Sequence, residues 1–453
     1  MADTVAQPGQ LKSPRTNTQQ LAWGVLLISF AAFCVLCVII AILIYYFLFQ
    51  STVPAQSVLR VGRGTVGLTE ADLIEQVVRN QRELFSGTSV STDTQSQGTI
   101  FFRDQQHGGS LIAALTLKSG SSVNLETANR PRFDWSAVEY RLRITNFSGE
   151  LELLIPDSLP RDIWFGVETD HGALIYMTTN GQYMLRVTDT QVEVTNYAGE
   201  ALLVSPNLVN RQVAPGQRGL LDLPSTEIAL LPAFTNLLGN STFQETNIAE
   251  LGVNGGSDVR ELPIAWRCNN VQNDFPRGDY GITQDDGRTV LRFLRGSGAN
   301  SHGETSCGQY FGPTGTDGLD VSMYDHLQMR ATLKIRSHSL STCGVEGSEC
   351  PLMLRIDYID VNNRPQVWYH GFFTQSNLNL NYPLRCSSCT QEHEAINADA
   401  WYTYDSGNLF RQLPVDQRPK SLLNVRFYAS GHEYDVAITE VALLAGQVEN
   451  LSG

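Results

Sequence analysis

The hydrophobic positions of this 453-residue chain follow two patterns, the first of which is one unbroken apolar stretch. From Leu21 to Phe49 no residue carries a charge. At about 1.5 Å per residue, a helix of that length exceeds the roughly 30 Å hydrocarbon core of a bilayer. Trp23 near one end and Tyr45 and Tyr46 near the other are typical of interfacial aromatic belts. The pattern predicts a single membrane-spanning helix over 21–49, an uncleaved signal anchor.

Beyond the apolar stretch, hydrophobic and polar residues alternate with a period of two, and turn residues separate the runs. This alternation predicts short antiparallel strands with one buried face. In two runs the buried positions are Tyr183, Leu185 and Val187, then Val192 and Val194. The predicted strands of this half are Gly98–Asp104, Ser122–Glu126, Tyr140–Ile144, Glu150–Leu154, Gly181–Val187 and Gln191–Thr195.

One segment in this half has helical spacing instead. Thr69 to Asp72 form a capping box, and apolar residues then recur every three or four positions up to Ser86. We therefore predict a helix near 69–86. The apolar positions concerned are Leu73, Ile74, Val77, Val78 and Leu84.

The ordered motifs over about 58–222 resemble a FecR-type extracytoplasmic domain. The resemblance rests on the segments 87–93, 99–104, 122–126, 167–172, 181–183, 192–194, 199–201 and 214–218, in that order. It implies a β-domain that relays or hosts binding outside the cytoplasm. FecR proteins also carry a helical cytoplasmic domain that grips a sigma factor. Residues 1–20 are too short to bury such a core, so we expect the fold without the sigma-factor role.

The hydrophobic pattern of the second half of the chain predicts a β-sandwich. Leu327, Met329, Ala331, Leu333 and Ile335 alternate with polar residues, and Asp285-Asp286-Gly287 between apolar runs is a hairpin signal. The run Asn236–Phe243 followed by Trp266, and the closing run Tyr434–Leu444, resemble the first and last strands of galactose-binding-like jelly rolls, the fold of many carbohydrate-binding modules. That resemblance implies glycan binding.

The predicted class is therefore all-β, with one membrane helix before two β-rich domains. The expected order is a short cytoplasmic tail (1–20), the membrane helix (21–49), a stalk (50–57), the FecR-like domain (58–222), a linker (223–235), the jelly roll (236–447) and a tail (448–453). We expect a single-pass protein of the cell membrane, with its N-terminus cytoplasmic and the bulk of the chain outside. Lys12 and Arg15 before the helix nearly balance Arg60 and Arg63 after it, so this orientation rests on cysteine use and domain type.

Six cysteines fall in the second half: Cys268, Cys307, Cys343, Cys350, Cys386 and Cys389. An even number in a β-domain beyond a membrane anchor indicates disulfides in an oxidising compartment. The pairing 268–307, 343–350 and 386–389 is one of fifteen connectivities. The alternative is a tetrahedral zinc site formed by Cys343, Cys350, Cys386 and Cys389, with His393 nearby.

Two aromatic stretches in the second half are candidate ligand sites. Aromatic rings stack on the apolar faces of sugars, while polar side chains bind the hydroxyls. The predicted ligand-binding residues are Trp368, Tyr369, His370, Trp401, Tyr402, Tyr404 and Asp405. Because adjacent strand residues face opposite ways, Trp368 and Trp401 are also predicted as core residues, with Tyr369 or Tyr402 then the exposed partner. We predict no cofactor; a structural calcium ion at Asp357, Asp360, Asn362 or Asp435 is the alternative to solvated turns.

The composition limits the function further. A net charge of −14 argues against nucleic acid and anionic lipid head groups as partners. No catalytic triad order, HExxH, P-loop or dinucleotide fingerprint occurs, so we predict that the protein is not an enzyme. The leading hypothesis is a membrane-anchored protein that binds envelope glycan or attaches to a surface. The alternatives are a FecR-like signal transducer and a structural envelope or surface-layer component, and the sequence does not indicate the oligomeric state.

Overall fold

The computed structural model describes residues 18–70, 74–224, 226–245, 265–271, 274–312, 318–374 and 380–447. Helix α1 (Thr18–Phe49) contains the apolar stretch Leu21–Phe49, which is long and apolar enough to cross a membrane. Among the described residues, 18–53 and 131–138 form one compact unit, and the others form a second. The second unit contains two β-domains, so the predicted all-β class is confirmed.

The first β-domain is built from two sheets that share one long strand. Successive hairpins alternate between the sheets, which bury a common core that includes Leu59, Phe102, Leu115, Leu153 and Phe165. Its strands are β1 (Thr52–Pro54), β2 (Gln56–Arg63), β3 (Val66–Thr69), β4 (Gln76–Val78), β5 (Gln81–Leu84), β6 (Thr88–Thr92), β7 (Gln97–Asp104), β8 (Ser110–Leu117), β9 (Ser122–Pro131), β10 (Tyr140–Ile155), β11 (Ile163–Thr169), β12 (Leu174–Met177), β13 (Gly181–Val187), β14 (Gln191–Ala198), β15 (Ala201–Val204), β16 (Asn210–Val213), β17 (Gln217–Asp222) and β18 (Ile228–Pro232).

Strand pairing gives the order of each sheet. Sheet 1 runs β4-β3-β6-β9-β10-β11-β12-β15-β16, and all of its pairings are antiparallel except β10–β11. Sheet 2 runs β5-β2-β7-β8-β10-β13-β14-β17-β18 and is antiparallel throughout.

Strand β10 passes from sheet 1 to sheet 2 at Asn146–Gly149. Both of these residues have left-handed φ angles, 52° and 90°. A Cβ at Gly149 would lie 2.7 Å from the Gly120 carbonyl oxygen, so glycine is required here. The predicted strands Tyr140–Ile144 and Glu150–Leu154 are thus the two halves of one strand.

The predicted helix near 69–86 is wrong where the structure describes it. Strand β4 pairs with β3, and β5 pairs with β2. Ile74 and Val77, which were expected on a buried helical face, are exposed. Residues 71–73 lie outside the described residues. In so short a segment, pairing with existing strand edges outweighs a helical pattern.

The predicted stalk and linker also contain strands. Strand β2 begins at Gln56, inside the expected stalk, and β18 lies within 223–235 and pairs with β17. Residues 1–17 of the expected tail 1–20 and the expected tail 448–453 lie outside the described residues, and helix α1 begins at Thr18.

The second β-domain is a sandwich of two antiparallel-rich sheets. Sheet 3 has the order β21-β22-β31-β25-β29, with β19 beside β31, and sheet 4 has the order β20-β23-β30-β26-β27-β28, with β24 beside β30. The strands are β19 (Thr235–Asn236), β20 (Arg267–Val271), β21 (Asp279–Asp285), β22 (Arg288–Arg295), β23 (Gly303–Tyr310), β24 (Leu319–Asp320), β25 (His326–His338), β26 (Leu352–Asp360), β27 (Pro365–Phe373), β28 (Glu394–Ala395), β29 (Tyr402–Asp405), β30 (Pro419–Gly431) and β31 (Tyr434–Gly446), and a short helix α2 (Leu409–Gln412) precedes β30.

The core of the sandwich lies where period-two alternation places it. Leu327, Met329, Ala331, Leu333 and Ile335 on β25 are all buried between the sheets. Trp266 packs there on Phe243 and Phe427, with ring centroids 5.5 and 4.8 Å away. The Asp286-Gly287 hairpin turn has φ angles of 51° and 81°, as expected for a two-residue primed turn.

Candidate functional site

The face of sheet 4 that points away from the core (the outer face) combines tyrosines with charged side chains. On β26, Leu352, Leu354 and Ile356 point into the core, so the intervening Arg355 and Asp357 point outward. The same alternation applies to the neighbouring strands. The outer face includes Arg267, Glu304, Tyr310, Arg355, Asp357, Tyr369, Asn424, Arg426 and Tyr428.

Three tyrosine–arginine pairs are distributed across this face. The guanidinium carbon of Arg355 lies 5.3 Å from the ring centroid of Tyr369. The corresponding distances are 5.4 Å from Arg426 to Tyr428 and 5.5 Å from Arg267 to Tyr310. Such cation–π contacts hold a guanidinium beside a ring and leave N–H donors next to an aromatic surface.

Strand register places much of this set in a single row. Tyr369 lies opposite Arg355, Arg355 opposite Arg426, Arg426 opposite Gly308, and Gly308 opposite Arg267. At about 4.8 Å between strands, the row is about 19 Å long. A Cβ at Gly308 would lie 3.2 Å from Cβ of Arg426, so the glycine makes room for the arginine stem.

Two carboxylates offset the charge of the arginines. Arg355 and Asp357 form an ion pair of 2.7 Å, and Arg426 lies 4.0 Å from Glu304. Burial opposes the charge of Arg355, but the hydrogen bonds and charge of Asp357 outweigh it and raise the pKa of Arg355. The face therefore presents both donors and acceptors while remaining close to neutral.

A disulfide-closed loop borders one end of the outer face. Cys343 and Cys350 are bonded and pack with Met353, Phe373 and Tyr428, against which Tyr369 also packs. Burial, followed by the charge of Glu304, raises the pKa of Tyr428, so this tyrosine stays neutral.

His393 connects this loop to a second disulfide, Cys386–Cys389. Its Nδ1 accepts from the Gly371 N–H at 2.9 Å, and its Nε2 lies 2.6 Å from the Gly347 carbonyl oxygen, to which it donates. Burial lowers the pKa of His393 to about 4, so the ring is neutral at physiological pH. The histidine thus fixes the loop that borders the outer face.

The third disulfide joins Cys268 to Cys307 across β20 and β23. A ring nitrogen of His393 lies within 4.8 Å of both sulfurs of Cys343–Cys350 and, as a separate group, a ring nitrogen of His393 lies within 4.8 Å of both sulfurs of Cys386–Cys389; each spacing suits a metal. Sulfurs that are bonded to each other are not thiolates, so the zinc alternative would require reduced protein.

Three of the predicted ligand residues lie in the sandwich core. Trp368, His370 and Tyr404 are buried, and their rings stack, with His370 and Tyr404 centroids 4.4 Å apart. Tyr369 points the opposite way, onto the outer face. Because these three rings are buried in the core, a ligand bound at the surface of the domain does not contact them.

Three other predicted ligand residues lie at the contact between the two β-domains. Trp401 is 2% exposed and packs with Phe101 and Leu111 of the first domain. Tyr402 donates to Glu394, which also forms a 2.9 Å ion pair with Arg63. Asp405 lies 3.7 Å from Arg330, and Arg330 pairs with Glu152 of the first domain.

A hairpin tip is the centre of charge at this contact. Asp286 accepts from Arg60 at 2.9 Å and from Arg103 at 3.1 Å, both in the first domain. It also accepts from Lys334 at 2.7 Å and from Trp401 Nε1 at 3.1 Å. Burial opposes ionisation, but Lys334 and the two arginines lower the pKa of Asp286 to about 2.

The carboxylates considered for calcium have protein partners. Asp360 accepts from the backbone N–H groups of Asn362 and Arg364, and Asp435 pairs with Arg292. Asp357 pairs with Arg355 as described. Calcium binding stays a prediction.

Sequence reasoning named Tyr369 as a ligand residue and Asp357 as a calcium candidate, but missed the other members of the outer face. Arg355 and Asp357 interrupt an apolar alternation, as do Arg426 and Tyr428 on β30. Polar or aromatic residues at alternate positions of adjacent strands were the available signal. This signal identifies a shared face only when the order of the strands in the sheet is known, and the sequence does not give that order.

Comparison with solved structures found partial likenesses of low similarity. A putative anti-sigma factor from Parabacteroides distasonis is 14% identical, with a TM-score of 0.24 over 32% of this chain and 59% of its own. A family 11 carbohydrate-binding module from Clostridium thermocellum, in complex with a β-1,3-1,4-mixed-linked tetrasaccharide, is 10% identical, with a TM-score of 0.24 over 43% of this chain and 95% of its own. TmCBM61, in complex with β-1,4-galactotriose, is 8% identical, with a TM-score of 0.24 over 47% of this chain and 99% of its own.

No family model matches the chain, and no curated protein sequence matches it either. The alignment spans just under three-fifths of the anti-sigma factor structures. The TM-scores are too low for these likenesses to support an argument about function, which must rest on the residues themselves.

Proposed function

We propose that this protein is a membrane-anchored, non-catalytic binding protein whose second β-domain binds a carbohydrate chain on the outer face of sheet 4. The observation that supports this most strongly is the set of three tyrosine–arginine pairs on that face. Helix α1 would hold the β-domains at a membrane surface, where an envelope glycan is an available ligand.

The chemistry of the outer face suits a sugar chain. Tyrosine rings provide flat apolar area with a polar tip, and sugars present C–H faces and hydroxyls. Arg267, Arg355 and Arg426 offer N–H donors, while Asp357 and Asn424 offer acceptors. A row of about 19 Å exceeds one sugar unit, which favours an extended chain over a monosaccharide.

The adjacent carboxylates of Asp285 and Asp286 at the hairpin tip do not favour glycoside hydrolysis. That reaction requires two carboxylates facing each other across the scissile bond. Asp285 and Asp286 instead bind Lys334, and Arg336 also pairs with Asp285. Asp286 also pairs with Arg60 and Arg103 of the first β-domain, so its charge helps to hold the two β-domains together.

A signal-transducing role is the second candidate. It is favoured by the ion pairs that join the two β-domains. A conformational change caused by binding in one domain reaches the other domain through such direct contacts. Co-purification of a cytoplasmic partner with the full chain, lost when residues 1–20 are deleted, would support this role. Unchanged co-purification after the deletion would contradict it.

Binding should be measured with the full chain in detergent or nanodiscs against a panel of neutral and acidic polysaccharides. The double variant Tyr310→Ala/Tyr369→Ala should not bind the polysaccharide that the unmodified protein binds. Tyr176→Ala, a tyrosine on the first β-domain, is the matched control and should bind normally. Equal binding by all three proteins would contradict the proposed face.

A further inference from the structure

The last turn of helix α1 is capped by side chains from residues 131–138, which we call the collar. An α-helix leaves its final four carbonyl groups without helical partners. Near a bilayer such groups are costly unless the protein satisfies them. Here the Tyr46 carbonyl accepts from the Gln50 N–H at 2.8 Å, and the Phe47 carbonyl accepts from the Ser51 hydroxyl at 2.5 Å.

The collar supplies the donors for the remaining two carbonyls. Trp135 Nε1–H donates to the Leu48 carbonyl at 3.2 Å. The Ser136 hydroxyl donates to the Phe49 carbonyl at 2.6 Å. The four final carbonyls of the helix are thereby satisfied, two of them by a segment more than eighty residues away in sequence.

The collar is also aromatic on its exposed side. The Phe133 and Trp135 rings stack with centroids 4.8 Å apart, and Phe133 meets Phe47 edge-on at 5.7 Å. Arg132 lies 5.3 Å from the ring of Phe47. Trp135 is nevertheless 62% exposed, which is a large apolar area to leave in water.

The length of the helix sets the depth of the collar. The 29 residues of Leu21–Phe49 extend about 43 Å at 1.5 Å per residue. The hydrocarbon core is about 30 Å thick and the bilayer with its interfacial layers about 40–45 Å. A helix that crosses upright therefore has its ends, and with them residues 47–49, in an interfacial layer.

We propose that the collar is a second membrane-contacting segment, with Phe133 and Trp135 inserted into the interfacial layer of the phospholipid bilayer that α1 crosses. Tryptophan is enriched in this layer because its ring is amphipathic. Arg132 lies beside the same ring stack, at the level of the lipid phosphates. The inference rests on the proposed membrane anchoring of α1.

The test uses the full chain in phosphatidylcholine nanodiscs whose acyl chains carry bromine either near the headgroups or at the bilayer centre. Bromine quenches nearby tryptophan fluorescence. In Trp135→Phe, the share of tryptophan emission that is quenched by headgroup-proximal bromine should be lower than in the unmodified protein. The share quenched by central bromine should be the same in both proteins. Trp164→Phe, which removes a tryptophan from the first β-domain, should not lower this share.

A headgroup-proximal quenching share that is equal in the unmodified protein and Trp135→Phe would overturn the collar proposal. Trp23→Phe separates this failure from failure of the anchor. If Trp23→Phe lowers quenching and Trp135→Phe does not, α1 is inserted and the collar alone is wrong. If neither variant lowers it, the anchor and the collar both fail.

Discussion

The two outer faces of the second sandwich are similar in composition and differ in what covers them. The outer side of sheet 3 presents Trp401, Arg288 and Lys334, and contacts with the first β-domain cover it. The outer face of sheet 4 leaves Tyr310 exposed and Tyr369 partly exposed, whereas Tyr428 is buried. Aromatic and basic residues on a strand therefore do not identify a ligand site until the neighbouring domain is known.

The difference lies in how the charges are arranged. On sheet 3, Asp286 accepts from four donors, two of which belong to the first β-domain. On sheet 4, each arginine of the outer face lies against a tyrosine ring. Donors that reach a carboxylate of the other domain hold the domains together, whereas donors beside a partly exposed ring suit a polar ligand.

The largest expected effect is on the covered face. Trp401→Ala removes a buried indole from between the domains and should lower the free energy of unfolding by about 3–5 kcal/mol. Urea denaturation of the full chain measures this loss. Polysaccharide binding under native conditions should persist, and loss of binding without loss of stability would reverse the roles assigned to the two faces.

The next effect is at the border of the outer face. A Cβ at Gly371 would lie 2.1 Å from the Cys350 sulfur. Gly371→Ala should displace the loop 343–350 and lower stability by about 1–3 kcal/mol, as overpacking does. Thermal denaturation measures the change. Gly172→Ala, at an open turn of the first domain with positive φ, is a comparison in which strain comes from the backbone alone.

A smaller effect is expected from removal of one ring from the outer face. Tyr369→Ala should weaken polysaccharide binding about tenfold, which corresponds to about 1.4 kcal/mol. Because Tyr369 is only partly buried, the unfolding free energy should change little. Titration calorimetry measures the affinity, and an unchanged dissociation constant would exclude Tyr369 from the site.

The smallest expected effect is pH dependence at the domain contact. The pKa of Asp286 is depressed to about 2, so its stabilising contribution is present above the unfolded-state value near 4 and is lost as pH falls towards 2. Partial solvent screening reduces this contribution to about 1 kcal/mol. Asp286→Asn should flatten this part of the stability profile, and an identical profile in both proteins would contradict the assignment.

The strands of the second sandwich were predictable because their burial is one-sided. Leu327 to Ile335 alternate strictly, and the Asp286-Gly287 turn has its own sequence signal. The segment after Thr69 was not predictable in the same way. A few apolar residues there fit a helix, but strand edges formed elsewhere in the chain decided its structure.

The candidate site was only partly predictable for a related reason. Trp401 is buried by Phe101 and Leu111, about three hundred residues earlier in the chain. Period-two alternation separates Trp368 from Tyr369, yet it does not show which side faces the core. Arg355, Arg426 and Arg267 come together only through the pairing of four strands, and that pairing is a property of the fold.

Hydroxyl-radical footprinting of the full chain, with and without a bound polysaccharide, compares the two faces in one experiment. We expect Tyr310 and Tyr369 to be modified in the free protein and protected in the complex, and Trp401 to be protected in both. Modification of Trp401 in the free protein, or equal modification of both tyrosines at saturating polysaccharide, would contradict the assignment of one face to the domain contact and the other to the ligand.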